Sequence, residues 1–300
     1  MIPFNTSKIL IPVDFSETSL LAIQHGAFVA QFTKGDVYLL HIVNSTYTRQ
    51  NLFLPVVDID NLELERKIET KLNELANDIR SQYGIQVECI IKTGIPSNEI
   101  IDTVNELNIN LVVMGTHGYS PLEELVIGSN ALRVITKANC QVMTMSKEAT
   151  KKGYSRIVIP IDNSPHSRQK VNYAIQMAHE FSAALYPLGL LGSDEEGRKG
   201  TMEVIMSQIE ELAKEKNVIC KSEILEEVKN RANATVKYSE EIGADLIVIM
   251  SDQDAELSGF FLGPYAQQVI HLSKIPVLTI KPKELSGPTN ISILSGTSGN

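Results

Sequence analysis

Tryptophan is missing from this chain, aromatic side chains make up only 6% of it, and cysteine occurs three times in 300 residues. Cys89, Cys140 and Cys220 are far apart, in or beside apolar strand-like runs. No Cys-x-x-Cys spacing is present that would hold zinc or exchange disulfides, so the three read as reduced packing residues. An excess of positive charge is also missing. The formal net charge is -9 and Lys and Arg form no block, which argues against DNA or RNA, whose binders concentrate positive charge on one face. No apolar run approaches the ~18 residues that a membrane span needs. The start, Met1-Ile2-Pro3-Phe4-Asn5, lacks the basic and then apolar segments of a secretory signal. The expectation is a cytoplasmic protein with neither a nucleic-acid nor a membrane partner.

A hydrophobic content of 43% over this length fills two ordinary cores, and the chain repeats itself accordingly. Ile9-Leu10-Ile11-Pro12-Val13-Asp14-Phe15-Ser16 returns as Ile157-Val158-Ile159-Pro160-Ile161-Asp162-Asn163-Ser164. Each copy is an apolar run ending in Pro-x-Asp-x-Ser, with the Ser placed to cap the amphipathic stretch that follows, which ends near Phe32 and Phe181.

Second strands are expected over Val37–Val43 and Ala184–Leu191, the later one weakened by Pro187. Leu64, Ile68, Leu72, Leu75 and Ile79, and then Met202, Ile205, Ile209 and Leu212, recur at helical spacing. Strands over Val87–Ile91 and Val218–Ile224, short helices from Ser97 and Asn233, and strands over Asn110–Met114 and Asp245–Met250 follow. A last helix and the strands Val142–Met145 and Val277–Ile280 complete the copies. Alternating helices and continuously apolar strands predict an α/β protein of two doubly wound domains, each a five-stranded parallel sheet with helices on both faces. Their bounds are 1–147 and 154–283, with a polar linker between them and a flexible tail over 284–300.

In such sheets ligands settle beyond the carboxyl ends of the strands, where strand order reverses. There the fourth strand runs into Met114-Gly115-Thr116-His117-Gly118, and Gly128-Ser129-Asn130 opens the last helix. Glycines at 115 and 118 would let the backbone turn and approach a ligand with no Cβ in the way, exposing N–H groups to an anion. Gly128 and Ser129 present a helix N-terminus, where free amides and the helix dipole favour phosphate. Asp14 is placed either to accept hydrogen bonds from ribose hydroxyls or to cap the first helix with Ser16, and the two roles are compatible.

The spacing G-x2-G-x9-G-[S/T], with the early Pro-x-Asp, resembles the universal stress protein family in its tandem two-domain form, over about Phe4 to Pro282. The resemblance implies a Rossmann-like fold of strand order 3-2-1-4-5, a stress-related cytoplasmic role, and binding of ATP or AMP. It places Pro12, Asp14 and the backbone of Ile42 around the adenosine, with Met114 beneath it. Gly115, Gly118, Gly128, Ser129 and Asn130 then surround the phosphates. His117 either touches a phosphate or stacks on the surface.

The second copy departs from the pattern. Ser251 and Asp254 are read in place of the first two glycines, and Gly263-Pro264 in place of Gly128-Ser129. Asp252 and Asp254 would meet phosphate charge at ~4 Å, a repulsion on the order of 1 to 4 kcal/mol, and Pro264 removes an N–H from the helix start. The second copy is expected to be structural and to bind no ATP despite keeping Pro160 and Asp162. Glu123 and Glu124, between the halves of the motif, either face solvent or call for Mg²⁺ beside the phosphates. The apolar stretch Leu52–Val57 is either core packing or a lid or partner surface.

No nucleophile with a base, metal cluster or carboxylate pair stands at catalytic spacing, and Gly115–Asn130 contains neither Arg nor Lys, so slow ATP hydrolysis is the most the site would support. The expected partners are an adenine nucleotide, the other copy in an internal pseudo-dimer through the last strands, and a second chain in a homodimer. A nucleotide-independent scaffold and a weak ATPase are the alternatives.

Overall fold

The computed structural model of the protein describes residues 4–44, 61–118, 127–164, 166–251 and 262–282. Leu52–Val57, Glu123, Glu124, Asp252, Asp254 and the tail lie outside them. The backbone divides into two compact units, one holding Asn5–Gly153 and Gln267–Thr279, the other Tyr154–Ala266 with Phe4 and Ile280.

The first unit runs β1 (Lys8–Pro12), α1 (Glu17–Thr33), β2 (Asp36–Asn44), α2 (Asn61–Tyr83), β3 (Val87–Gly94), α3 (Pro96–Leu107), β4 (Leu111–Gly115), α4 (Ser129–Lys137) and β5 (Gln141–Met145). Its strands pair in the order β3-β2-β1-β4-β5, all parallel. The sheet is covered on both faces, so Ile9, Leu10, Ile11, Leu39, Leu40, Val112 and Val113 are wholly buried, and the strands read as unbroken apolar runs. Ser16 caps α1 as expected, its hydroxyl accepting from the N–H of Ser19 at 3.3 Å. A further strand, β10 (Val277–Ile280), joins the unit: its residues 277–279 pair antiparallel with β5, Leu278 opposite Met143.

The second unit runs β6 (Arg156–Ile161), a 3₁₀ turn (His166–Lys170), α5 (Val171–Glu180), β7 (Ala184–Leu190), α6 (Lys199–Glu215), β8 (Glu223–Leu225), α7 (Arg231–Glu241), β9 (Leu246–Met250) and α8 (Pro264–Leu272), which ends beyond it. The parallel order β8-β7-β6-β9 repeats the first four strands of the other unit.

Two local differences have identifiable causes. Pro187 stands inside β7, which pairs on both sides. Proline has no N–H to give a ladder, and on the β8 side the pairing breaks there. An isolated bridge joins Leu185 and Cys220, and β8 starts only opposite Leu188. The strand expected over Val218–Ile224 is therefore cut to three residues, where its counterpart β3 has eight. The expected helix after Ser164 also starts late. Ser164 caps the 3₁₀ turn instead, its hydroxyl accepting from the N–H of Ser167 at 3.1 Å, and α5 begins only at Val171. Of the cysteines, Cys140 is buried and Cys89 and Cys220 half-buried, all as free thiols.

The junction between the 3₁₀ turn and α5 carries Lys170, fully buried, its Nζ donating to Ser167 O at 2.6 Å and to Ser167 Oγ at 3.3 Å. Burial pulls the ammonium from its ordinary 10.5 down to about 7, against the opposing pull of Asp162. The folded-state value lies below the unfolded one, so between pH 7 and 10.5 the unfolded chain binds the extra proton. Stability therefore rises with pH across that window, by on the order of 1.4 kcal/mol per pH unit from this group, and the gain is lost as pH falls through about 7. Urea unfolding of wild type and Lys170→Met at pH 7 and pH 9.5 should show this rise in the wild type and its loss in the variant.

Candidate functional site

Parallel pairing puts the carboxyl ends of β1 to β4 on one edge of the first unit's sheet, and strand order reverses between β1 and β4. A cavity of about 380 Å³ opens at that reversal. All ten residues singled out in the sequence line it. Pro12 and Asp14 come from the end of β1, Ile42 from β2, and Met114, Gly115, His117 and Gly118 from the end of β4. Gly128, Ser129 and Asn130 come from the start of α4. Met114 is buried at its floor, whereas Asp14, Gly118, Ser129 and Asn130 are exposed.

The two halves of the glycine motif are brought together by backbone bonds. Thr116 N–H donates to Met145 O at 2.9 Å, and Gly128 N–H donates to Thr116 O at 2.9 Å. Gly128 is then the N-cap of α4, extended at φ -58 and ψ 144, with no side chain to satisfy the amides that follow. The first turn of α4 holds no acidic residue, so its positive end is not neutralised from within.

The glycines are also required by the protein's own packing. Neither Gly115 nor Gly118 has a positive φ, and the space a Cβ would need is taken by protein rather than left open to a ligand. At Gly115 a Cβ would stand 2.5 Å from Thr18 Oγ1, 2.8 Å from Thr18 Cβ and 3.0 Å from His117 O. At Gly118 it would stand 2.6 Å from Asp14 Oδ2. These glycines let the loop close onto the start of α1 and onto Asp14.

Asp14 takes up the capping role offered to it, Oδ1 accepting from Ser16 N–H at 2.9 Å and from Ser16 Oγ at 2.5 Å. The next residue, Phe15, is held at φ 65, a region that bulky side chains occupy only when their surroundings fix them. Its ring lies 5.0 Å from that of His41, whose Nδ1 donates to Val13 O at 2.7 Å, and Lys71 Nζ sits 4.6 Å from the Phe15 ring centre. His117 lines the cavity half-buried, Nδ1 2.9 Å from Thr116 Oγ1.

The corresponding place in the second unit is furnished differently. Ile9 pairs with Leu111 and Ile157 with Leu246. Ser251 repeats both bonds of Thr116, its N–H donating to Ile280 O and its carbonyl accepting from Gly263 N–H. Ser251 thus corresponds to Thr116, and the counterpart of Gly115 is Met250, wholly buried, which corrects by one residue the alignment expected from sequence. Where Pro96, Ile100 and Asn130 line the first cavity, the counterparts are Arg231, Thr235 and Tyr265. Tyr265 Oη lies 2.9 Å from Thr235 Oγ1, and Arg231 Nη2 donates to Glu195 Oε2 at 2.5 Å. Burial pushes the Glu195 carboxyl up, but the Gly192 N–H and Arg231 together hold it below its ordinary value. Asp162 is buried, accepts from Ser164 N–H and faces the charge of Lys170.

The model of the Universal stress protein family matches the chain twice, over residues 5–145 and 153–281. The chain belongs to the universal stress protein family. Universal stress protein MJ0577 of Methanocaldococcus jannaschii is 30% identical over 154 residues, spanning 47% of this chain and 95% of its own. Universal stress protein YxiE of Bacillus subtilis is 28% identical over 143 residues, 46% of this chain and 97% of its own. Each of these relatives spans about half of the chain. A solved universal stress protein from Archaeoglobus fulgidus shares the fold across both halves, with a TM-score of 0.71 and 22% identity over 93% of this chain and 98% of that one. No described helix of this universal stress protein is long and apolar enough to cross a membrane.

Sequence reasoning missed Ser19, Pro96 and Ile100, which also line the cavity, and Thr18 behind it. Pro96 and Ile100 follow the carboxyl end of β3, and topology alone places every such segment on the site's edge. Ser19 and Thr18 carry no motif that marks them. Gly115→Ala should cost about 1–3 kcal/mol in urea unfolding by overpacking against Thr18 and backbone. Gly118→Ala should cost less, because the Asp14 carboxylate can rotate away.

Proposed function

We propose that this chain binds one adenine nucleotide, ATP or AMP, in the first-unit cavity, and that the second copy is structural and binds none. The observation that carries the first part is the convergence of ten residues, distant in sequence, on one cavity that also receives the open N-terminus of α4. The apolar side of Ile42, Ile100 and Met114 suits a base, and backbone amides with Ser129 and Asn130 suit phosphate. Among the described residues no Lys or Arg lines the cavity, so the phosphates would be held by dipoles rather than by countercharge, and turnover would be slow at most. Among the described residues no group of three or more His, Cys, Asp or Glu gathers that could hold a metal ion, and no ligand set for Mg²⁺ is assigned.

The second part is supported by the internal occupation of the equivalent crevice. Tyr265 and Thr235 are hydrogen-bonded across it, and Arg231 is paired with Glu195. Family membership supports a stress-response role, for which a cytoplasmic location is proposed. Domains of 1–147 and 154–283, internal pairing of the two copies and a homodimer belong to the same proposal.

The test is to purify the protein without added nucleotide, denature it and identify the released small molecules by mass spectrometry, beside Gly118→Asp, whose side chain would meet Asp14 and oppose phosphate. About one adenine nucleotide per chain from the wild type and none from the variant is expected. Added ATP should raise the melting temperature, with about 2.7 kcal/mol of stabilisation at a hundredfold excess over Kd. Protein that releases no nucleotide and whose Tm is unmoved by millimolar ATP would return the chain to a scaffold role.

A further inference from the structure

Thr18 does not line the cavity, yet it is hydrogen-bonded to the strip of backbone that does. It sits in the first turn of α1, 8% exposed, and its Oγ1 lies 2.5 Å from His117 O. A carbonyl can only accept, so the single hydroxyl proton of Thr18 is committed to it. The peptide joining His117 and Gly118 is planar and trans, which sets its N–H opposite its C=O. With the carbonyl held toward α1, the Gly118 N–H is directed away from it. The same side chain fills the space beside Gly115, and Asp14 Oδ2 lies beside Gly118, so the loop packs against protein at both glycines and is hydrogen-bonded at the carbonyl between them.

We propose that Thr18 is the positioning residue of the phosphate end: by holding the His117 carbonyl it orients the Gly118 amide, and with it the loop's donors, toward a bound phosphate. This rests on the nucleotide reading of the cavity and adds to it a split between the two ends of the ligand. The base and ribose are gripped by β1, β2 and β4, which Thr18 does not hold through this bond. A ligand without phosphate should therefore be indifferent to the hydroxyl.

Calorimetric titration of the full chain with ATP, AMP and adenosine tests this on wild type, Thr18→Val, Thr18→Ala and Thr18→Ser. Loss of the hydroxyl in Thr18→Val should weaken ATP and AMP about tenfold and leave adenosine unchanged, and Thr18→Ser should restore wild-type affinity. Thr18→Ala should show the same split and cannot overpack against Gly115, so it answers the question if the valine variant does not fold. Unchanged ATP affinity in both hydroxyl-free variants, or equal losses for ATP and adenosine, would overturn the proposal while leaving the nucleotide site standing. A wild-type protein that binds none of the three ligands would overturn the nucleotide reading, and this inference with it.

Discussion

One backbone hydrogen bond, from the N–H of Gly128 to the carbonyl of Thr116, ties the end of β4 to the start of α4. Every other feature of the first cavity depends on where those two ends lie. The bond is architectural rather than functional, because Gly263 and Ser251 make the same one in the second unit at 3.0 Å. Duplication has kept the scaffold that brings strand end and helix start together, and the two copies have diverged in what surrounds it. Around Thr116 stand small residues and an uncapped helix. Around Ser251 stand a buried methionine, a tyrosine hydrogen-bonded across to the neighbouring helix, and charges that neutralise one another.

This contrast accounts for how the site residues were legible and in what sense. The motif spacing, together with the family resemblance that placed Pro12, Ile42 and Met114, picked out ten residues that line one cavity because each lies at or near a strand end or helix start, and topology brings those points onto one edge of a parallel sheet. The packing requirement at the glycines was not legible. Spacing cannot distinguish a Cβ left out for a ligand from one left out for a neighbouring side chain, and Thr18 and Asp14 reach their glycines only through the fold. The one-residue shift that equates Gly115 with Met250 has a similar origin. Ser251 looks like a small residue replacing a glycine, and only the strand register shows that it replaces Thr116.

The fold was more fully legible than the site, since unbroken apolar runs, the 3.6-residue helical period and the repeated Pro-x-Asp-x-Ser are local signals. Where it was misread, a local signal was overruled by a missing or displaced hydrogen bond. Ser164 does cap, but it caps a 3₁₀ turn, and Lys170, polar in sequence and wholly buried in the fold, marks the point where the α-helix resumes. The strand expected from Val218 to Ile224 was cut to three residues by a proline on the neighbouring strand, which no window on its own residues could reveal.

The shortening of β8 bears on how the protein behaves in a crowded solution. A strand at the end of a sheet offers its unused N–H and C=O groups as a template for a foreign chain, and the offer scales with its length. With three paired residues, β8 gives an incoming strand little to hold. By contrast, β3, the edge strand of the first unit's sheet, extends eight residues and bears the exposed apolar side chain of Ile91, with Ile95 just beyond it. Pro187 therefore acts as a solubility device at a distance of one strand, and whatever aggregation this chain undergoes by strand addition should begin at the first unit's edge.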